Sequence, residues 1–304
     1  MTSLPLFHHP DYVAPLPPGH SFPMSKYALV LPALADAGQA IERLTPEAMP
    51  REWLTAVHDP AYVDAVLTAR VDHAIERRIG FPVTADVARR TCAVAGGTHA
   101  AAVYALAHGF AANGAGGSHH AMPGGGAGFC VTNDLAIAAQ RLIAEGTVAS
   151  ILIVDLDVHQ GDGTAVIFAG RDDVLTFSIH AERNFPVRKA RGFRDIALPD
   201  GTGDAEYLGV LGRELDDLLA LGPGLVLFQA GVDPHRDDRL GRLALTDAGL
   251  AARDSMVVTR CRAAGVPVAS TLGGGYDADP MRVARRHAAG LMAQWHAAAG
   301  FQHA

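Results

Sequence analysis

Cysteine is scarce in this chain: Cys92, Cys130 and Cys261 are three in 304 residues, and no two stand at CxxC spacing. That excludes a disulfide framework and a cysteine-built zinc ribbon, and it points to reduced thiols in a cytoplasmic setting. Cys130 is read as a buried small hydrophobe in preference to a nucleophile. A basic tract is missing too, aromatic residues are only 6% of the chain, and the formal net charge is −7. Nucleic-acid binding driven by phosphate contacts is therefore not expected. No window has the length and polarity of a membrane span, and Met1 to Tyr12 lacks the basic stretch and apolar run of an export signal; a protein that stays off the membrane and is not exported is expected. Internal repeats and low-complexity linkers are absent. What is present is 49% apolar and 19% charged residues, enough for one substantial α/β core.

The informative stretch is Asp155-Leu156-Asp157-Val158-His159-Gln160-Gly161-Asp162-Gly163, which follows the apolar run Ser150-Ile151-Leu152-Ile153-Val154. A β-branched run bounded by turn residues reads as a strand of a parallel sheet, and such folds bind ligands at the carboxyl ends of their strands. Alternation along extended backbone would turn Asp155, Asp157 and His159 to one face. One strand-end acid is most simply a loop cap. Several carboxylates buried together are costly without a cation or base beside them, so the cluster favours a divalent metal site.

Six prolines in residues 5 to 23 argue against a helix or internal strand there and for a surface rim. Asp59-Pro60 with Tyr62, Val63, Val66 and Leu67 reads as a capped helix, and His58 before it as structural. The alanine-rich span Asp86 to His108 reads as a long helix, its Gly96-Gly97 allowing close packing. Within the glycine-rich loop Asn113 to Gly128, adjacent His119 and His120 look placed for proton transfer, a reading that depends on the acid cluster, since paired loop histidines such as His8-His9 are ordinarily just exposed. Asn133 caps a helix with Leu135, Ala139 and Leu142 inward.

Strands are read at Val174–His180, Leu225–Ala230 and Val266–Leu272, alternating with helices opened by Asp204, Thr246 and Asp279-Pro280, the last with Ala284, Ala288, Leu291 and Trp295 inward. Alternation of this kind means a doubly wound parallel sheet. Asp233, after the second of these strands, is the third candidate ligand, with loop-capping as its plain alternative. Tyr276, behind Gly273-Gly274-Gly275, could donate to a developing oxyanion or simply pack in the core.

Taken together, Gly-Gly-Ser-His119-His120-Ala, Gly128-Phe129-Cys130, the Asp155–Gly163 stretch, Gly231-Val232-Asp233 and Gly273-Gly274-Gly275-Tyr276 closely resemble the zinc-dependent histone deacetylase family, in order from about Pro18 to Trp295. The opening Leu16-Pro17-Pro18-Gly19-His20-Ser21-Phe22-Pro23-Met24 looks like its bacterial, class IV-like branch. The resemblance implies an arginase/deacetylase-type fold, an eight-stranded parallel sheet flanked by helices in a single domain over residues 1–304, with its core at about 18–296. It implies catalytic zinc on Asp157, His159 and Asp233, and hydrolysis of the amide of an N-acylated amine, either acetyl-lysine in a protein or a small acylated metabolite.

By the same resemblance, His120 is general base and then acid and His119 gives electrostatic support. Asp155 and Asp162 orient the two rings, and Tyr276 stabilises the oxyanion. Phe129 and Phe185 wall the substrate tunnel, with Gly128 and Gly274 alongside. A monovalent cation, potassium, is implied beside Asp155, Asp157, His159, Ser178 and Ile179. Three departures stand out. No residue matches the rim aspartate that grips the substrate backbone in many eukaryotic members. Ala69 to Pro82 is too short for the insertion that narrows acetylpolyamine deacetylases. Gln160 replaces a second histidine found in many relatives. The competing readings are a binuclear manganese ureohydrolase of arginase type, which needs further carboxylates, and a non-catalytic acyl-amine sensor, which has little use for a proton-transfer pair.

Overall fold

The computed structural model describes residues 3–300. The first two and last four residues of the expected 1–304 domain lie outside the described residues. The strands are β1 (Leu4–Phe7), β2 (Ile41–Leu44), β3 (Phe110–Asn113), β4 (Ile151–Asp155), β5 (Val174–Ala181), β6 (Arg194–Leu198), β7 (Leu225–Gln229) and β8 (Val268–Thr271). They form one eight-stranded sheet in the order β2-β1-β3-β8-β7-β4-β5-β6, and every neighbouring pair is parallel. The expected parallel sheet flanked by helices is thus what the chain builds.

The central strands show why an unbroken apolar run belongs there. Leu152 and Val154 of β4, with Val226 and Phe228 of β7, enter the larger core cluster with Tyr207, Leu211, Val257 and Leu291 of the helices Asp204–Leu219, Asp247–Ala263 and Pro280–Gly300. Ile151 and Ile153, with Leu225 and Leu227, enter the opposite cluster with Ala101, Ala105, Leu135 and Leu142 of the helices Ala85–His108 and Asp134–Ala144. Period-two alternation sends both sets to helix-covered faces, so every position of the strand must be apolar. The helix Ala85–His108 starts on Thr84, whose hydroxyl accepts the Val87 N–H, and Asn133 caps Asp134–Ala144 in the same way. Asp59 occupies its expected position before the helix Pro60–Leu67 but makes no side-chain cap bond.

The proline-rich opening departs from expectation. Leu4–Phe7 is an interior, fully buried strand despite Pro5. The N–H groups of Leu4 and His8 face β2, donating to Ala40 and Leu44, so Pro5 faces the β3 side, where pairing begins only at Leu6. The missing donor therefore lies before the ladder starts. His8 is also not an exposed loop histidine. It is buried against Tyr12, and its Nε2 lies 3.3 Å from the Tyr27 carbonyl.

Candidate active site

Four neighbouring strands, β3, β8, β7 and β4, release their loops at the same carboxyl edge, and these loops carry the candidate residues. β4 ends at Asp155, and residues 156–160 bend away from the strand. Alternation therefore does not extend past Asp155, and the three residues do not share one face. The Asp155 Oδ2 lies 2.6 Å from the His119 Nδ1, while Asp157 and His159 turn toward Asp233.

Asp157, His159 and Asp233 each offer a ligand atom within 4.8 Å of the others. The His159 Nδ1 lies 3.0 Å from the Asp157 Oδ1 and 3.2 Å from the Asp233 Oδ2. The outer oxygens are already held: the Asp157 Oδ2 accepts from the Gln229 amide and the Gly274 N–H, and the Asp233 Oδ1 accepts from the Val158 N–H. A side chain at Gly274 would place its Cβ 2.1 Å from the Asp233 Oδ2, and one at Gly231 2.5 Å from the Asp157 Oδ2. Backbone without side chains is what lets these carboxylates close in. Burial and the neighbouring Asp157 push Asp233 upward. Two carboxylates and one imidazole, all buried, with their free atoms converging, fit a divalent cation in a mixed oxygen and nitrogen site with positions left open.

The paired histidines sit with their ring centroids 4.1 Å apart, each on its own acid: His119 on Asp155, and His120 Nδ1 at 2.7 Å from the Asp162 Oδ1. Their protonation diverges. For His119, burial is outweighed by Asp155 and Asp157, which lift it to about 9. For His120, burial and the cationic His119 beside it dominate Asp162 and hold it down at about 4. The two acids beside His119 favour its charged form, and burial beside His119 favours the neutral form of His120.

Tyr276 stands over the cluster, with its ring 6.3 Å from that of His159 and 5.8 Å from that of Phe129. Burial, then Asp233 and Asp157, push its phenol well above the usual tyrosine range, so it stays a neutral donor. Phe185 meets the His120 ring edge-on at 4.8 Å and is 44% exposed. Phe129 is held at φ +66, in the left-handed region that bulky residues avoid, and packs on Phe22 at 5.0 Å. Gly128 before it has room for no side chain, since a Cβ would lie 2.5 Å from His120. Cys130 is buried, its thiol pushed up by burial. Ser178 lies opposite Asp155 in the β4–β5 register, with Ile179 next in the strand.

Several supporting residues escape a motif reading. The Arg253 Nη1 donates to the carbonyls of Leu156 (3.1 Å) and Gly231 (2.7 Å), tying together the loops of Asp157 and Asp233, and is fully buried against Asp254. Asp134 accepts from the Gly117 and Ser118 N–H groups just before the histidines. The buried Lys26 Nζ donates to the Gly273 carbonyl, and Asp238 accepts the Tyr276 N–H at 2.7 Å. Gln160 is also buried, donating to Asp195 and the Ala190 carbonyl while accepting the Ala190 N–H. No spacing in the sequence marks these residues, because each acts on backbone groups far away along the chain.

Residues 20–292 match the family model described as "Histone deacetylase domain". An uncharacterized protein of Picosynechococcus sp. is 48% identical over 286 residues, 93% of this chain and 95% of that protein. Histone deacetylase 2 of Arabidopsis thaliana is 27% identical over 288 residues, 87% of this chain and 71% of that protein. The crystal structure of the HDA15 HD domain superposes with a TM-score of 0.80 at 22% identity, covering 99% of this chain and 94% of that one, which is a likeness of fold.

Proposed function

Because the chain belongs to the histone deacetylase domain family, whose members are amidohydrolases, we propose that it is a zinc-dependent deacylase. It cleaves the amide of an N-acylated amine, acetyl-lysine in a protein or a small acylated metabolite. The observation that carries this reading is the convergence of Asp157, His159 and Asp233 beside two histidines, each held by its own carboxylate, and the Tyr276 ring.

Zinc held by Asp157, His159 and Asp233 would supply a Lewis acid that lowers the pKa of a water and polarises the amide carbonyl. His120, neutral and fixed at Nδ1 by Asp162, takes a proton at Nε2 as the bond to carbon forms. It then returns that proton to the leaving amine nitrogen, so the amide and one water become a carboxylic acid and an amine. The cationic His119, fixed by Asp155, favours the negative charge that develops beside it. The Tyr276 hydroxyl donates to the oxyanion, a role typically worth about 3 to 4 kcal/mol of barrier. Phe129 and Phe185 bury the aliphatic stem of the amine, with Gly128 and Gly274 leaving space alongside. A potassium ion beside Asp155, Asp157, His159, Ser178 and Ile179 belongs to the same reading.

A binuclear ureohydrolase would need further carboxylates facing the cluster, whereas Asp155 and Asp162 face His119 and His120. The test is metal counting joined to inhibition. Purified protein is expected to hold about one divalent metal per chain, to cleave an acetyl-lysine reporter, and to stop when a hydroxamate is added. Two metals per chain, or no amide cleavage with the metal bound, would overturn the proposal.

A further inference from the structure

Charge is distributed unevenly over the molecule. The chain carries a formal −7, and no basic tract was expected, yet residues 182–195 hold five basic residues against the two acids Glu182 and Asp195, and residues 236–242 hold three against two. Pairing removes part of this excess and leaves five arginines. Arg194 and Arg242 are paired with Glu214 and Asp200, and the Lys189 Nζ is engaged by the carbonyls of Asn184 and Pro186. Arg183, Arg188, Arg191, Arg236 and Arg239 are exposed and make no side-chain hydrogen bond or ion pair among the described residues. Of the local acids, Asp237 pairs with Arg286, while Asp238 accepts only backbone N–H groups, from Tyr276, Leu240 and Gly241, and Glu182 is exposed, so five unpaired arginines outnumber these two acids.

These two segments meet beside His120 and Tyr276. The Asn184 Nδ2 donates to the Leu240 carbonyl at 2.6 Å, joining one loop to the other, and Phe185 follows directly, its ring against His120. The Arg239 N–H donates to the Tyr276 carbonyl. Phe185, Val187 and Leu240 stand exposed between the arginines. A single exposed arginine contributes little to binding, but several of one sign around a cleft with low-dielectric walls focus their field across its opening.

We infer that the acylated amine received here is a lysine in an acidic segment of polypeptide, with carboxylates flanking it along the chain. The inference rests on the deacylase reading and names its substrate class. The free arginines are spread over two loops instead of gathered in one pocket, which suits several carboxylates along an extended chain better than one phosphate. A polyamine, or a lysine among other lysines, meets like charge at the same opening, and like-charge contacts suppress wrong partners.

The experiment uses three acetyl-lysine peptides of equal length with acidic, neutral and basic flanks, together with an uncharged acetyl-lysine reporter. Hydrolysis by the metal-loaded enzyme and binding to the His120→Ala protein are both measured, at low and high salt. The acidic peptide is expected to lead the basic one by about tenfold or more in kcat/KM, carried in KM, and to lose that lead as salt screens it. Reversing three rim charges together, Arg183→Glu, Arg188→Glu and Arg236→Glu, should invert the order, whereas Arg171→Glu, in the turn that enters the amino end of β5 at the opposite edge of the sheet, should leave it unchanged. Equal treatment of the peptides, or an order that survives the triple reversal, overturns the inference. If the reporter is not cleaved but the acidic peptide still binds selectively, the deacylase reading fails while the assignment of the mouth stands.

Discussion

The floor of the site and its mouth are carried by the same sheet edge, yet they are built in contrasting ways. On the floor, Asp157, His159, Asp233, His119 and His120 are each at most 7% exposed, and the carboxylate oxygens facing away from the cluster are held by N–H groups. At the mouth, Val187 is 97% exposed and five arginines have no side-chain partner among the described residues. A buried polar group must be satisfied or charged against a neighbour, so the floor tolerates few geometries. An exposed guanidinium is solvated wherever it points, so the mouth is free to vary. The contrast teaches that chemistry and selection are separable here: floor substitutions should fall on kcat, mouth substitutions on KM.

The sharpest way to break that comparison is His120→Ala. Removing the neutral imidazole removes proton transfer in both directions, and kcat is expected to fall by about 10²- to 10⁴-fold, measured on an acetyl-lysine reporter with metal content and circular dichroism unchanged. A rate within a few-fold of the parent would place the proton elsewhere. Next comes Tyr276→Phe, which keeps the ring packing on Phe129 and deletes only the hydroxyl. A loss of about 10²- to 10³-fold in kcat with KM nearly constant is expected, and a change confined to KM would mean the phenol serves binding instead.

The floor was more legible than the sheet that carries it. Asp157, His159 and Asp233 stand at strand ends whose apolar runs announce themselves, and the glycines around them mark close approach, so their convergence could be anticipated from sequence. Strands β1, β2, β3 and β6 leave little local trace. Phe110-Ala111-Ala112-Asn113 is too short and too rich in alanine to look like a strand, and the edges Ile41-Glu42-Arg43-Leu44 and Arg194–Leu198 carry charge because one side of each faces water. Pro5 concealed β1 because its harmless position depends on where pairing with β3 begins. Arg253, Asp134 and Lys26 were hidden for another reason: each acts on backbone carbonyls or N–H groups distant in sequence, and no spacing rule records such a partner.

Arg253 tests whether that hidden support belongs to the floor. Its guanidinium reaches two carbonyls and Asp254 at once, a fork that one ammonium cannot reproduce. Arg253→Lys keeps the charge and loses part of the tie between the Asp157 and Asp233 loops. Metal affinity, read by competition with a chromogenic chelator, should weaken by about 10- to 100-fold, the usual consequence of removing support behind metal ligands. Unchanged affinity with lowered thermal stability would make Arg253 a packing residue only.

The smallest effect is expected where floor and mouth join. Gln160 adjoins His159, but its side chain points away from the cluster, using both its amide nitrogen and its oxygen on Ala190 and adding Asp195. It anchors the arginine-bearing loop from below. In Gln160→His the imidazole cannot donate and accept at the same positions as a primary amide, so the loop loosens while His159 keeps its hydrogen bond from the backbone to Asp157. The expected outcome is kcat within about twofold and KM for an acidic acetyl-lysine peptide raised several-fold, with the uncharged reporter less affected, since a loosened rim loses much of its field at the opening. A fall in kcat on both substrates would show that the loop and the ligand set move together, and the division between floor and mouth would then have to be redrawn above Gln160.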